Sequence, residues 1–247
     1  MIVARNLTIS ALLLFATASW AQQGGDLQAQ ILYAYQTEDT NSLSNLIQDL
    51  AARAKDAGDA SLRYHLAHAQ YRRGLLAGTA RPREAETAFA DCVDQLKPVL
   101  SQDVKSVEAL VLQSACYAGL ANHRKLESVL LRSRSEERLN AALTLAPRNP
   151  RAVFLSSMDG LAYAKPGTVQ LQRAFAQLQF AAQLFDASSA TSIDTPGWGH
   201  ADAYLALGRE LQSRGDQLGA RNWIEKSLIA APDYKAAQRQ LALLVRR

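Results

Sequence analysis

Cysteine, proline and glycine are all scarce, with 2 Cys, 7 Pro and 13 Gly in 247 residues. Two thiols cannot build a disulfide scaffold, and so little Pro and Gly excludes collagen-like and low-complexity chains. Aromatics supply only 7% of the residues, and β-branched residues are thin beside Ala and Leu, which favours helix. No stretch of apolar/polar alternation is long enough to demand a strand. No Ser lies in a G-x-S-x-G elbow, and no Gly-rich phosphate or dinucleotide loop occurs. Adjacent carboxylates such as Glu136 and Glu137 diverge by about 100° on a helix, a poor arrangement for paired acid–base work. The sequence therefore points to no enzyme, no catalytic residue and no cofactor.

Charge of one sign is also missing. Lys and Arg number 27 against 23 Asp and Glu, a net charge of +4. The two signs interleave, as in Arg132, Arg134, Glu136, Glu137 and Arg138. Without a basic stripe, nucleic acid is not indicated as a partner. Long apolar runs are confined to the first 21 residues, where Arg5 precedes Ile9, Leu12, Leu13, Leu14 and Phe15. Ser19 and Ala21 then stand three and one before Gln22. This is the pattern of a secretory signal peptide with cleavage after Ala21. The run is roughly a dozen residues, short of the ~20 that span a bilayer, so no stable membrane insertion is expected after cleavage. The mature chain, 22–247, is expected in the periplasm or secreted.

From Leu27 onward apolar residues recur at three and four, the helical period. Turn signals at Gly58-Asp59, Gly78 to Pro82, Lys97 to Asp103, Pro147 to Pro150, Lys165 to Gly167, Ser188 to Gly199 and Gly215-Asp216 divide the chain into roughly ten or eleven helices. Within residues 200–233, Tyr204-x2-Leu207-Gly208-x2-Leu211 is followed by Ala220-x3-Ile224-x2-Ser227 and Pro232. This resembles the tetratricopeptide repeat (TPR), a helix–turn–helix unit of about 34 residues. Weaker copies of its second half occur at Ala85/Phe89/Cys92, Ser135/Leu139/Ala142 and Ala174/Leu178/Ala181. The copy ending at Ala142 holds about nine extra residues, expected to lengthen its second helix. Leu27 to Lys55 and 233–246 read as capping elements at the two ends.

Asn149-Pro150-Arg151-Ala152, Pro166-Gly167 and Pro196-Gly197-Trp198-Gly199 also look similar to exported bacterial proteins with divergent repeats, and the resemblance implies an all-α, right-handed solenoid of about five hairpins plus a terminal helix. It also implies that the first helices line a concave groove used to hold peptides or proteins. Carrying the stripe Asp202, Leu205, Arg209, Gln212 to the other first helices places His65, Arg72, Arg73, Glu108, Asp159 and Tyr163 in that groove. Arg72, Arg73 and Arg209 would pair with a partner's carboxylates, and Tyr163 would offer stacking area. His65 and His68 lie one turn apart but lack a third ligand, so no metal site is assigned. One of the two is expected at the packing surface and the other in the groove. Trp198, in the longest loop, is expected to pack on the start of the last hairpin. Cys92 and Cys116 fall on adjacent helices of neighbouring hairpins and admit two readings, a disulfide or two buried thiols. The expected function is that of an envelope scaffold or adaptor with a protein or peptide partner. The alternative is a small-ligand-binding accessory of a transport system, marked by a closed aromatic pocket around Tyr163.

Overall fold

A computed structural model describes residues 27–56, 59–189 and 196–245 of the chain; the expected signal peptide lies outside them. Among the described residues the secondary structure is helical and holds no strand. Helix α1 covers 27–36 and α2 Thr40–Asp56. The next pairs are α3 (Ala60–Ala77) with α4 (Pro82–Gln102), and α5 (Val107–His123) with α6 (Ser128–Leu145). Then follow α7 (Pro150–Tyr163) with α8 (Val169–Ser189), α9 (His200–Ser213) with α10 (Gln217–Ala230), and α11 (Lys235–Val245). Each pair forms a hairpin, and each hairpin packs on the next. Among the described residues the helices make five hairpins and a closing helix, the arrangement that the resemblance implies.

Local chemistry sets the helix starts. The Asp59 carboxylate accepts from the backbone N–H of Ser61 and Leu62, and Asn149 does the same for Arg151 and Ala152 ahead of Pro150. These bonds satisfy amides that have no partner inside the helix. Small residues set how closely paired helices approach. A Cβ added at Gly208 would lie 2.5 Å from the Ile224 side chain, and one at Gly74 would lie 2.7 Å from the Phe89 ring. Phe89 is gripped from both sides, because a Cβ at Gly119 of α5 would also meet its ring, at 2.6 Å.

Two boundaries differ from the sequence reading. The turn expected at Lys97 to Asp103 is helix as far as Gln102, and α4 runs through Pro98. Leu96, Val99 and Leu100 are all buried there, and burying them stabilises by more than the single backbone hydrogen bond that Pro98 removes. The extra residues of the long repeat are divided between its two helices. Helices α5 and α6 have 17 and 18 residues against 14 each for α9 and α10, and a 3-10 turn, Lys125–Glu127, takes up the rest.

The core is a series of apolar clusters in chain order, the signature of a repeat array. Cys92 of α4 and Cys116 of α5 are joined by a disulfide that ties the second hairpin to the third. The array also returns on itself. Tyr35 of α1 meets Tyr234 at the start of α11, and Arg72 of α3 reaches Asp202 of α9 across 130 positions of sequence.

Candidate functional site

Part of the predicted stripe, Arg72, Asp202 and Glu108, lies in a polar interior between the first helices. Arg72 is only 2% exposed. Its Nη2 donates to Asp202 Oδ2 at 2.9 Å and its Nε to His68 Nε2 at 3.1 Å, while its guanidinium lies 4.3 Å over the Tyr35 ring. Burial works against the Arg72 charge, and Asp202 with the nearby tyrosine oxygens overrides it, holding the pKa above its ordinary value. Tyr234 donates its hydroxyl proton to Asp202 Oδ1 at 2.8 Å. The 3.3 Å contact between the Tyr35 and Tyr234 hydroxyls must then run from Tyr35 to Tyr234. Burial, followed by the Asp202 charge, raises the pKa of both phenols and keeps them protonated.

His68 is fully buried, and burial, followed by the charge of Arg72, holds its pKa well below the usual histidine value. Accepting from Arg72 at Nε2 places the ring proton on Nδ1, an atom with no hydrogen-bond partner among the described residues. A second buried pair lies nearby. Arg151 of α7 binds Glu108 of α5 through Nε and Nη2 at 2.7 and 2.8 Å and also donates to the Pro196 carbonyl. Asn149, besides capping α7, donates to the same Glu108 at 2.7 Å.

Trp198 fills the space between the two pairs. The Arg72 and Arg151 guanidiniums lie 5.7 and 5.8 Å from its ring, and its Nε1 donates to the Tyr64 hydroxyl at 2.9 Å. Trp198 is thus covered as expected, but its principal partners are Tyr64, His68 and Tyr71 of α3 rather than the start of the last hairpin.

Space remains at the rim. A cavity of about 510 Å³ opens where α1, α3, α9 and α11 converge, lined by Tyr35, Glu38, Arg81, Arg209, Tyr234 and Arg239 among others. Arg209 also lines an adjoining cavity of about 500 Å³ with Gln212, Gln240 and Leu243. A third, of about 360 Å³, is lined by Arg73, Gln70, Glu84 and Asp91 on α3 and α4.

No protein-family model matches the sequence, and no curated protein matches it. Solved structures do match, these two among them. A thermophilic TPR protein from Thermus thermophilus is 19% identical over 92% of this chain and 100% of its own, with a TM-score of 0.61. The HusA haemophore from Porphyromonas gingivalis is 19% identical over 82% of this chain and 96% of its own, with a TM-score of 0.64. The fold is a TPR-like solenoid.

In this TPR-like array the residues assigned to one groove separate into several places. Arg72, expected to offer its charge to a partner, is enclosed and committed to Asp202. His65 is buried like His68, and burial lowers its pKa. The expectation that one of the two histidines faces an open groove therefore fails, because α3 is covered on both sides. Arg73 pairs with Glu84 at 3.1 Å beside its cavity. Tyr163, 62% exposed, stands at the end of α7, where Arg132 donates to its hydroxyl and lies 4.7 Å over its ring. Asp159 is half-buried one turn away, and burial, then Glu136, raises its pKa. Arg209 and Gln212 lie together at the terminal rim, both bonded to Gln240.

Asp202 and Glu108 of the stripe each pair with an arginine of the same chain, so neither carboxylate is open to a partner. Sequence reading missed Tyr35, Arg151 and Tyr234. Their partners lie 199, 43 and 32 positions away, and no local pattern marks such pairs. Among the described residues no group of three or more His, Cys, Asp or Glu is placed to hold a metal ion.

Proposed function

We propose that the protein is a non-catalytic scaffold of the bacterial cell envelope that binds a protein or peptide partner at the rim of its TPR-like array. The carrying observation is that Arg73 and Arg209, two of the three arginines read as partner contacts, line accessible cavities while the third is consumed inside. Planar guanidiniums at a rim suit carboxylates of an incoming chain. The envelope location rests on the N-terminal pattern of residues 1–21, and the Cys92–Cys116 disulfide is in keeping with an oxidising compartment. A second reading, a small-ligand-binding accessory of a transport system, draws support from the paired cavities at Arg209. The site that reading first suggested fails, because Tyr163 stands exposed and lines none of the cavities described above.

The test is affinity capture from envelope extract with the mature chain, comparing Arg73→Glu/Arg209→Glu with Arg221→Glu on α10. Loss of a captured protein with the first variant and its retention with the second is expected. Equal capture by all three proteins would reject the rim as the contact surface.

A further inference from the structure

The terminal cavity brings together Arg81 from the start of α4, Arg209 from α9 and Arg239 from α11, against one lining carboxylate, Glu38. Glu38 shows what this cavity accepts. Its carboxylate takes bonds from both terminal nitrogens of Arg239, at 2.8 and 2.5 Å. It does so from a backbone with φ 57, the one positive φ outside glycine among the described residues. A left-handed position after a helix ordinarily selects Gly. The fork-to-fork pair holds the Glu38 carboxylate charged, Arg239 being the first cause of its lowered pKa, and so shows one oxyanion bound by a guanidinium of this cavity.

The other two guanidiniums are less fully matched. Arg81 pairs with Glu84 at 2.9 Å while 46% of its side chain stays exposed. Arg209 is exposed, and its Nε makes a 3.4 Å bond to the neutral amide oxygen of Gln240. Leu75, Leu76 and Ala236 give the same cavity an apolar wall. At about 510 Å³, it falls in the range of small-ligand sites, which combine apolar lining with a few fixed polar groups.

We infer that this cavity binds a small organic anion with two or more oxyanion groups, held by Arg209 and Arg81, with its carbon body against Leu75, Leu76 and Ala236. The ligand would bridge the second hairpin to the last hairpin and α11, and so hold the closed array together. This inference rests on the small-ligand reading, and its test in purified components is separate from partner capture.

The experiment is calorimetric titration of the mature protein with citrate, with inorganic phosphate as a second probe, at constant ionic strength set with chloride. Citrate is expected to bind saturably. Arg209→Gln and Arg81→Gln should each weaken it about tenfold, the loss of one charge-assisted contact. Arg221→Gln on α10 should bind as the parent does, and circular dichroism of each variant checks that it is folded. Phosphate binding as tightly as citrate would overturn the requirement for several oxyanion groups. Citrate affinity unchanged in folded Arg209→Gln, or no citrate binding beyond the chloride baseline, would overturn the site, even if the rim variants lost their captured partner.

Discussion

His68 spends its basic nitrogen on an arginine, which ties its protonation to the stability of the interior. A proton added at Nε2 would break the Arg72 bond and set two cations side by side in a buried site. Its pKa in the folded chain lies well below the ordinary histidine value, burial being the main cause. The unfolded chain therefore binds the proton first as pH falls below about 6.5, and stability declines from that point until the folded pKa is reached. Urea unfolding between pH 7 and pH 5 should show stability falling by up to about 1.4 kcal/mol per pH unit from this one group. His68→Gln keeps an acceptor for Arg72 and removes the titration, so its slope should be shallower. An unchanged slope would show that His68 is not the group responsible. The sequence reading placed His65 and His68 on a helix one turn apart. Whether either faced water depended on what covers α3, and that includes Trp198 from far along the chain.

At the scale of the element, the hairpins are governed by how closely their helices approach. Phe89 lies between Gly74 and Gly119, so one ring of α4 determines the spacing to both α3 and α5. Gly74→Ala improves helix propensity by roughly 1 kcal/mol, yet its new Cβ would overlap a buried ring, which costs about 1–3 kcal/mol. Because the ring is held on both sides, overlap is expected to win, lowering stability by about 1 kcal/mol or more in urea titration. In a Phe89→Leu background the same substitution should cost less or become favourable. Equal cost in both backgrounds would rule out the ring as the cause. The repeat resemblance implies a close crossing at Gly208, Ala220 and Ile224, and a Cβ at Gly208 would meet the Ile224 side chain and the Ala220 carbonyl. The end of α4 was not legible in this way. Pro98 is a strong local stop signal, and it is overridden by the burial of Leu96, Val99 and Leu100 against other helices.

At the scale of the molecule, the array is closed by contacts between its ends. Arg72 with Asp202, Tyr35 with Tyr234 and Glu38 with Arg239 each join the first two hairpins to α9 or α11. Asp202→Ala would leave Arg72 charged and enclosed without its carboxylate, and removing one partner of a buried pair costs about 3–5 kcal/mol. Because 18% of the Asp202 side chain reaches solvent, a loss nearer 2 kcal/mol is expected once screening is counted. Small-angle scattering should register a larger radius of gyration as the ends part. An unchanged radius with lowered stability would place the role of the pair in local packing alone.

The sequence by itself determined the helices and, through the repeat resemblance, their pairing into hairpins. These depend on periodicity, turn chemistry and small residues within about 34 positions of one another. Only the tertiary structure decided that Arg72 pairs with Asp202 and Arg151 with Glu108, that Trp198 fills the space between these pairs, and that accessible arginines remain at the rim. The physical reason is accumulation. The turn of the array is the sum of small rotations between successive hairpins, so whether residue 72 faces water or residue 202 depends on all the crossings between them rather than on any local pattern.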